Sequence, residues 1–200
     1  MRKIGFIFEC GREGPDVKVC RHLVGLIDNK IEMVIRSLDN AGNLRQYCGM
    51  TAKILLKTCK KVVILWDLYP PWRDSGPCLH DDREEIFRSL IAAGVPASKV
   101  DLVCIHEELE SWLIADDRAL KSFIAEKKHP HPIRRIAKYG NPDALRNPKA
   151  IISKIFNQEL GNSRKYVDYQ DAGNIARKIT DLKRVKNSGS FTRFYDKIKP

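Results

Sequence analysis

No stretch of this sequence approaches the roughly 18 consecutive apolar residues that a membrane-spanning helix needs, so no membrane partner is expected. Met1-Arg2-Lys3 leads into only five apolar or glycine residues before Glu9. That is too short for the apolar segment of a secretory signal, and the expected location is the cytoplasm. Cys-x-x-Cys pairs are also missing. The six cysteines (Cys10, Cys20, Cys48, Cys59, Cys78 and Cys104) are scattered, which suits a reducing compartment better than a disulfide framework. The Gly-Lys-[Ser/Thr] ending of a Walker loop is absent, so any coupling to ATP would require a partner. Internal repeats and low-complexity tracts are lacking too.

What is present can fold. At 200 residues and 43% hydrophobic, the chain can bury a core of its own. The formal net charge of +11 is distributed unevenly. Residues 1–117 hold 16 Lys/Arg against 18 Asp/Glu, whereas residues 118–200 hold 20 against 7. A basic tail behind a mildly acidic body suggests a polyanion held by one part and acted on by the other. The plainer alternative is a solvated helical surface.

The run Val62-Val63-Ile64-Leu65-Trp66 is continuous, apolar and rich in β-branched residues, the signature of a strand buried on both faces. It ends in Asp67. Ile4–Phe8 likewise runs into Glu9, and Val100–Ile105 into His106-Glu107-Glu108. Helical spacing between these runs, at 16–27, 44–59 and 81–93, gives a β-α-β-α-β-α-β order once Ile31–Leu38 is taken as the second strand. Crossovers of that length predict a mostly parallel sheet flanked by helices. In such sheets ligands bind at the carboxyl edge, where all three acids should lie.

Glu107 to Asp116 predicts a helix opening directly from the strand end, with Glu107 and Glu110 on one face and Trp112 in the core. Those glutamates could serve only to complement the helix dipole. Beyond residue 120 the sequence predicts a basic helical extension. Arg134, Arg135 and Lys138 fall at near-helical spacing, Asn147-Pro148-Lys149 opens a helix, and Phe191, Phe194 and Tyr195 dock the last helix on the sheet. The expected division is 1–120 for the α/β domain and 121–200 for the extension.

Glu9 with Gly11 close behind, Asp67 after a buried strand, Glu107-Glu-Leu-Glu-Ser-Trp-Leu-Ile-Ala-Asp116, Asn147-Pro148-Lys149 and Ser190-Phe-Thr-Arg-Phe194 together resemble the family called domain of unknown function 4276. The resemblance implies a Toprim-like fold, as in topoisomerases, primases and the overcoming-lysogenization-defect nucleases, and an association with prokaryotic defence. It implies Glu9 as general acid or base, and Asp67 as the first carboxylate of an Asp-x-Asp that holds Mg²⁺ or Mn²⁺. The second position of that motif is Tyr69 here, leaving Asp74, Asp81, Asp82, Glu107 or Glu110 to substitute.

Three functions are compatible with these residues. One is a divalent-metal-dependent nuclease with Glu9, Asp67, Glu107 and Glu110 around the ion and Arg134, Arg135, Lys138 and Lys149 on backbone phosphates. Another is a degenerate, non-catalytic relative that binds nucleic acid or a partner ATPase. The third is a hydrolase of nucleotides or small phosphates, which would not need the basic tail.

Overall fold

The computed structural model describes residues 2–69, 76, 78–127, 133, 136–161 and 164–200. Four strands form one sheet: β1 (Arg2–Phe8), β2 (Ile31–Ser37), β3 (Lys61–Asp67) and β4 (Val100–Ile105). Their order is β2-β1-β3-β4 and every neighbouring pair is parallel. The crossovers are α1 (Pro15–Ile27), α2 (Ala41–Leu55) and α3 (Leu79–Ala92). After β4 come α4 (Glu110–Ala115), α5 (Asp117–Lys127), α6 (Pro148–Leu160), α7 (Asp168–Ala176) and α8 (Gly189–Ile198). The mostly parallel, helix-flanked sheet expected from the sequence is the one observed.

Strand alternation divides the core in two. Ile4, Phe6 and Phe8, with Val63, Leu65, Val103 and Ile105, face a cluster shared with α1 and the helices after β4. Ile7, Val62, Ile64, Trp66 and Cys104 face a smaller cluster with Leu44, Cys48, Ala52, Ile86 and Leu90 of α2 and α3. On that side α2 and α3 pack so tightly at Gly49 that an added Cβ would lie 2.0 Å from the Ser89 carbonyl oxygen.

The C-terminal helices therefore complete the first face of the sheet. Residue 120 lies inside α5. Trp112 of α4 is fully buried, with ring centroids 5.3 Å from Phe191 and 5.2 Å from Phe194. Its indole N–H donates to Ser190 Oγ at 2.8 Å. The Ser188 and Ser190 hydroxyls and the Ser190 N–H in turn donate to the Asp143 carboxylate at 2.6, 3.1 and 2.6 Å. At the edge of the sheet where the strands begin, Arg2 donates to the Lys199 carbonyl at 3.3 Å. There Lys61 and Lys197 also pair with Asp101 at 2.9 and 3.2 Å. No helix among the described residues is long and apolar enough to cross a membrane.

Candidate functional site

Because the strands are parallel, β1, β3 and β4 all end at one edge. Glu9 follows Phe8 there, Asp67 closes β3 opposite Ile105, and Glu107 and Glu108 follow β4. Pairing continues past the strand ends, with Leu68 N–H donating to Ile105 O and Tyr69 N–H to Glu107 O, each at 2.9 Å. The alternation that sends Val63 and Leu65 towards α1 and the C-terminal helices sends Asp67 the same way.

There Asp67 meets other acids. Burial pushes its carboxyl well above the usual range, and Asp16, Glu110, Glu9 and Glu108 push it further. Its Oδ1 is buried without a hydrogen-bond partner among the described residues. Asp16 is raised to about 6, chiefly by burial and then by Asp168, against a hydrogen bond with Cys10 and the charge of Lys149. Glu110 is raised to about 7 by burial, although it accepts a 2.8 Å bond from the Tyr166 hydroxyl. Burial also raises Glu108, whose carboxylate accepts the Lys149 backbone N–H at 3.2 Å. Burial works upward on Asp168 as well, but the Lys149 ammonium, bonded to its carboxylate, holds it below the usual range. Among the described residues, Asp16, Glu9, Glu108 and Glu110 thus press on Asp67, and the Lys149 ammonium offsets the charge at Asp16, Glu108, Glu110 and Asp168.

Such a cluster has two ways to relieve its repulsion: it can keep protons or take up a cation. The donors fit a hard divalent ion, since all are oxygens and Asp67 Oδ1 is buried without a hydrogen bond. No group of three His, Cys, Asp or Glu among the described residues is already arranged to hold a metal.

The structure brings Glu9, Asp67, Glu110 and Lys149 together, and it revises the setting of three further expectations. Glu107 does not open the helix: it sits at φ 60° and α4 begins at Glu110, so Glu107 and Glu110 do not share a helical face. Glu110 and Glu108, rather than Glu107, press on Asp67. Lys149, expected to hold phosphate, is engaged by Asp168 and Glu108 inside the acidic cluster. Lys138 is exposed, and residues 133 and 136–139 carry no helix. Arg134, Arg135 and Asp74 lie outside the described residues. Asp82 is buried on the α2–α3 side, where it accepts the Trp66 indole N–H at 3.3 Å.

Sequence reasoning missed Asp16, Tyr166 and Asp168. Asp16 lies in the first turn of α1, whose N-cap is Gly14. The loop closes so tightly that a Cβ on Gly14 would lie 2.6 Å from Cys10 Sγ. This tight loop brings the Asp16 carboxyl back onto Cys10 beside the strand end. Tyr166 and Asp168 lie about 150 residues further along the chain, where no local pattern could have flagged them.

The sequence matches the family described as Domain of unknown function (DUF4276) over residues 18–199. The chain belongs to the DUF4276 family. Asp67, Glu108, Glu110, Lys149 and Asp168 fall within the matched span; Glu9 and Asp16 precede it and join the site through the geometry alone. No curated protein matches the sequence. Among solved structures the fold is similar to the C-terminal region of the Burkholderia pseudomallei OLD protein, with a TM-score of 0.51 and 16% identity over 97% of this chain and 98% of that one. At that identity the likeness establishes the fold this DUF4276 protein shares.

Proposed function

We infer that this DUF4276 protein is a divalent-metal-dependent phosphodiester-acting protein of the nuclease type, belonging to a prokaryotic defence system. The observation that carries the reading is Asp67, an acid with a buried, unbonded oxygen at the centre of mutually repelling carboxyl groups. Asp67 and Glu9 would hold Mg²⁺ or Mn²⁺ with help from Glu108 or Glu110. Such an ion supplies Lewis-acid charge to a phosphodiester oxygen. Glu9 takes the general acid or base role that the family resemblance implies. Tyr69 replaces the second Asp of the Toprim motif, and the segment after β4 that carries Glu108 and Glu110 runs beside it, the Glu107 carbonyl accepting the Tyr69 N–H. The fold shared with the OLD C-terminal region supports a nuclease-type domain acting on nucleic acid. With no Walker loop of its own, the chain would depend on a separate ATPase for energy coupling, and the cytoplasm is where its substrate and partner would be met.

A second reading is favoured by the same Tyr69: a fold that binds nucleic acid without cutting it. Supercoiled, linear and single-stranded DNA and RNA incubated with Mg²⁺, Mn²⁺ or EDTA distinguish the two. Cleavage should require the metal and fall by about 10²- to 10⁴-fold in Glu9→Gln. Mn²⁺ should raise the wild-type Tm, and Asp67→Asn should abolish that rise, since a ligand stabilises only the state that binds it. No cleavage together with no Mn²⁺-dependent rise selects the second reading.

A further inference from the structure

The acidic cluster cannot attract a nucleic acid by itself, because each carboxylate repels phosphate. A strand delivered to it needs a cationic track that begins beside the acids and carries none of its own. Such a track lies where α1 crosses α7. A groove of about 440 Å³ is lined there by Lys18, Tyr169, Gln170, Gly173, Asn174 and Arg177. Two cations and no carboxylate line it, whereas depressions elsewhere include Glu85, Glu159 or Asp117. Both walls join the acidic cluster directly along the chain, Lys18 two residues after Asp16 and Tyr169 next to Asp168.

The groove's construction favours one kind of occupant. Tyr169 is 56% exposed, exceeded only by Ile91 among the large hydrophobic side chains of the described residues. Gln170 donates to its hydroxyl at 2.9 Å, fixing the edge of the ring. Gly173 lets α1 approach so closely that an added Cβ would lie 2.9 Å from Lys18 Cβ. Lys18 in turn donates to the Tyr169 carbonyl at 2.8 Å, which ties the ammonium to the Tyr169 backbone and leaves two of its protons for other acceptors. Arg177, exposed and bonded to Asn174, closes the far side. An exposed aromatic ring between two cations is the pairing that grips single strands, with bases stacking on the ring and phosphates lying against the charges. Duplex DNA keeps its bases stacked internally and could use only the cations.

We propose that the α1–α7 groove is a single-strand nucleic-acid track in which Tyr169 stacks a base and Lys18 and Arg177 hold the flanking phosphates. It rests on the nuclease reading only for what happens to the strand at the acidic cluster. The test is therefore made without metal. Fluorescence anisotropy of labelled oligo(dT), oligo(U) and a matched duplex is measured in EDTA over a salt series.

For both single strands, Tyr169→Ala should weaken binding roughly five- to a hundredfold, and Tyr169→Phe should restore it. Lys18→Gln with Arg177→Gln should lower the logarithmic salt slope by about 0.7 per lost contact on single strands. Duplex binding should respond to the double charge variant and be nearly indifferent to Tyr169→Ala. Circular dichroism of each variant confirms that it is folded. Wild-type protein that binds no oligonucleotide in EDTA overturns the proposal, as does Tyr169→Ala with unchanged affinity for single strands. Binding that behaves as described while no metal supports cleavage leaves the groove standing and removes the nuclease reading instead.

Discussion

The two faces of the sheet are covered in different ways. On one side, among the described residues, α2 and α3 cover Ile7, Val62, Ile64 and Trp66, and the buried Asp82 there is committed to Trp66. On the other, α1 and the five helices after β4 build a larger, aromatic-rich core around Trp112, Phe156, Phe191 and Phe194. The same helices bring Asp16, Glu108, Glu110, Lys149, Tyr166 and Asp168 to the strand ends. One face is therefore mainly structural. The other couples folding to the site, because the helices that bury its apolar surface also deliver its carboxylates.

Mutations on the two faces should separate these roles. The largest effect is expected for Trp112→Ala, which empties a fully buried site and orphans Ser190: about 3–5 kcal/mol in urea unfolding, with loss of the Mn²⁺-induced rise in Tm because α4 carries Glu110. Gly49→Ala should cost about 1–3 kcal/mol by forcing α3 away from α2, yet keep that Mn²⁺ response. If Gly49→Ala also abolished the response, the two faces would not be separable.

The smallest effect concerns pH and belongs to the acidic face alone. Asp16 and Glu110 have folded-state values raised to about 6 and about 7, above those of the unfolded chain. Their contribution is full below the unfolded values and is lost as pH rises through the folded ones. In EDTA, Tm should therefore fall between pH 5 and pH 8, values chosen to bracket about 6 and about 7. Glu110→Gln should flatten the upper part of that curve. Asp168, held low by Lys149, acts in the opposite sense and only at more acid pH. A flat profile across the window would show that these carboxyls are solvated rather than pressed together.

Much of this contrast was legible in the sequence. A run such as Val62–Trp66 can satisfy its apolar side chains only inside a sheet, and parallel crossovers then force Glu9 and Asp67 to the same edge. The register of acids after β4 was not legible, because a helical pattern cannot announce that Glu107 adopts φ 60° and delays the helix by three residues. The role of Lys149 was misjudged for a related reason. Counting charges along the tail gives its sum, whereas the fold places this particular ammonium among carboxylates and leaves Lys18 and Arg177 facing an open groove. Position in the sequence separates Asp16 from Asp168 by most of the chain; the close packing of α1 on α7 removes that separation.

The bond from Arg2 to the Lys199 carbonyl has a consequence for assembly. Arg2 and Lys199 lie together where the strands start, at the pole opposite the carboxylates. A protein joined at either of these residues would be anchored at that pole, leaving the carboxylate edge uncovered. Joining the two ends by a short linker and opening the chain elsewhere should likewise leave the working edge intact.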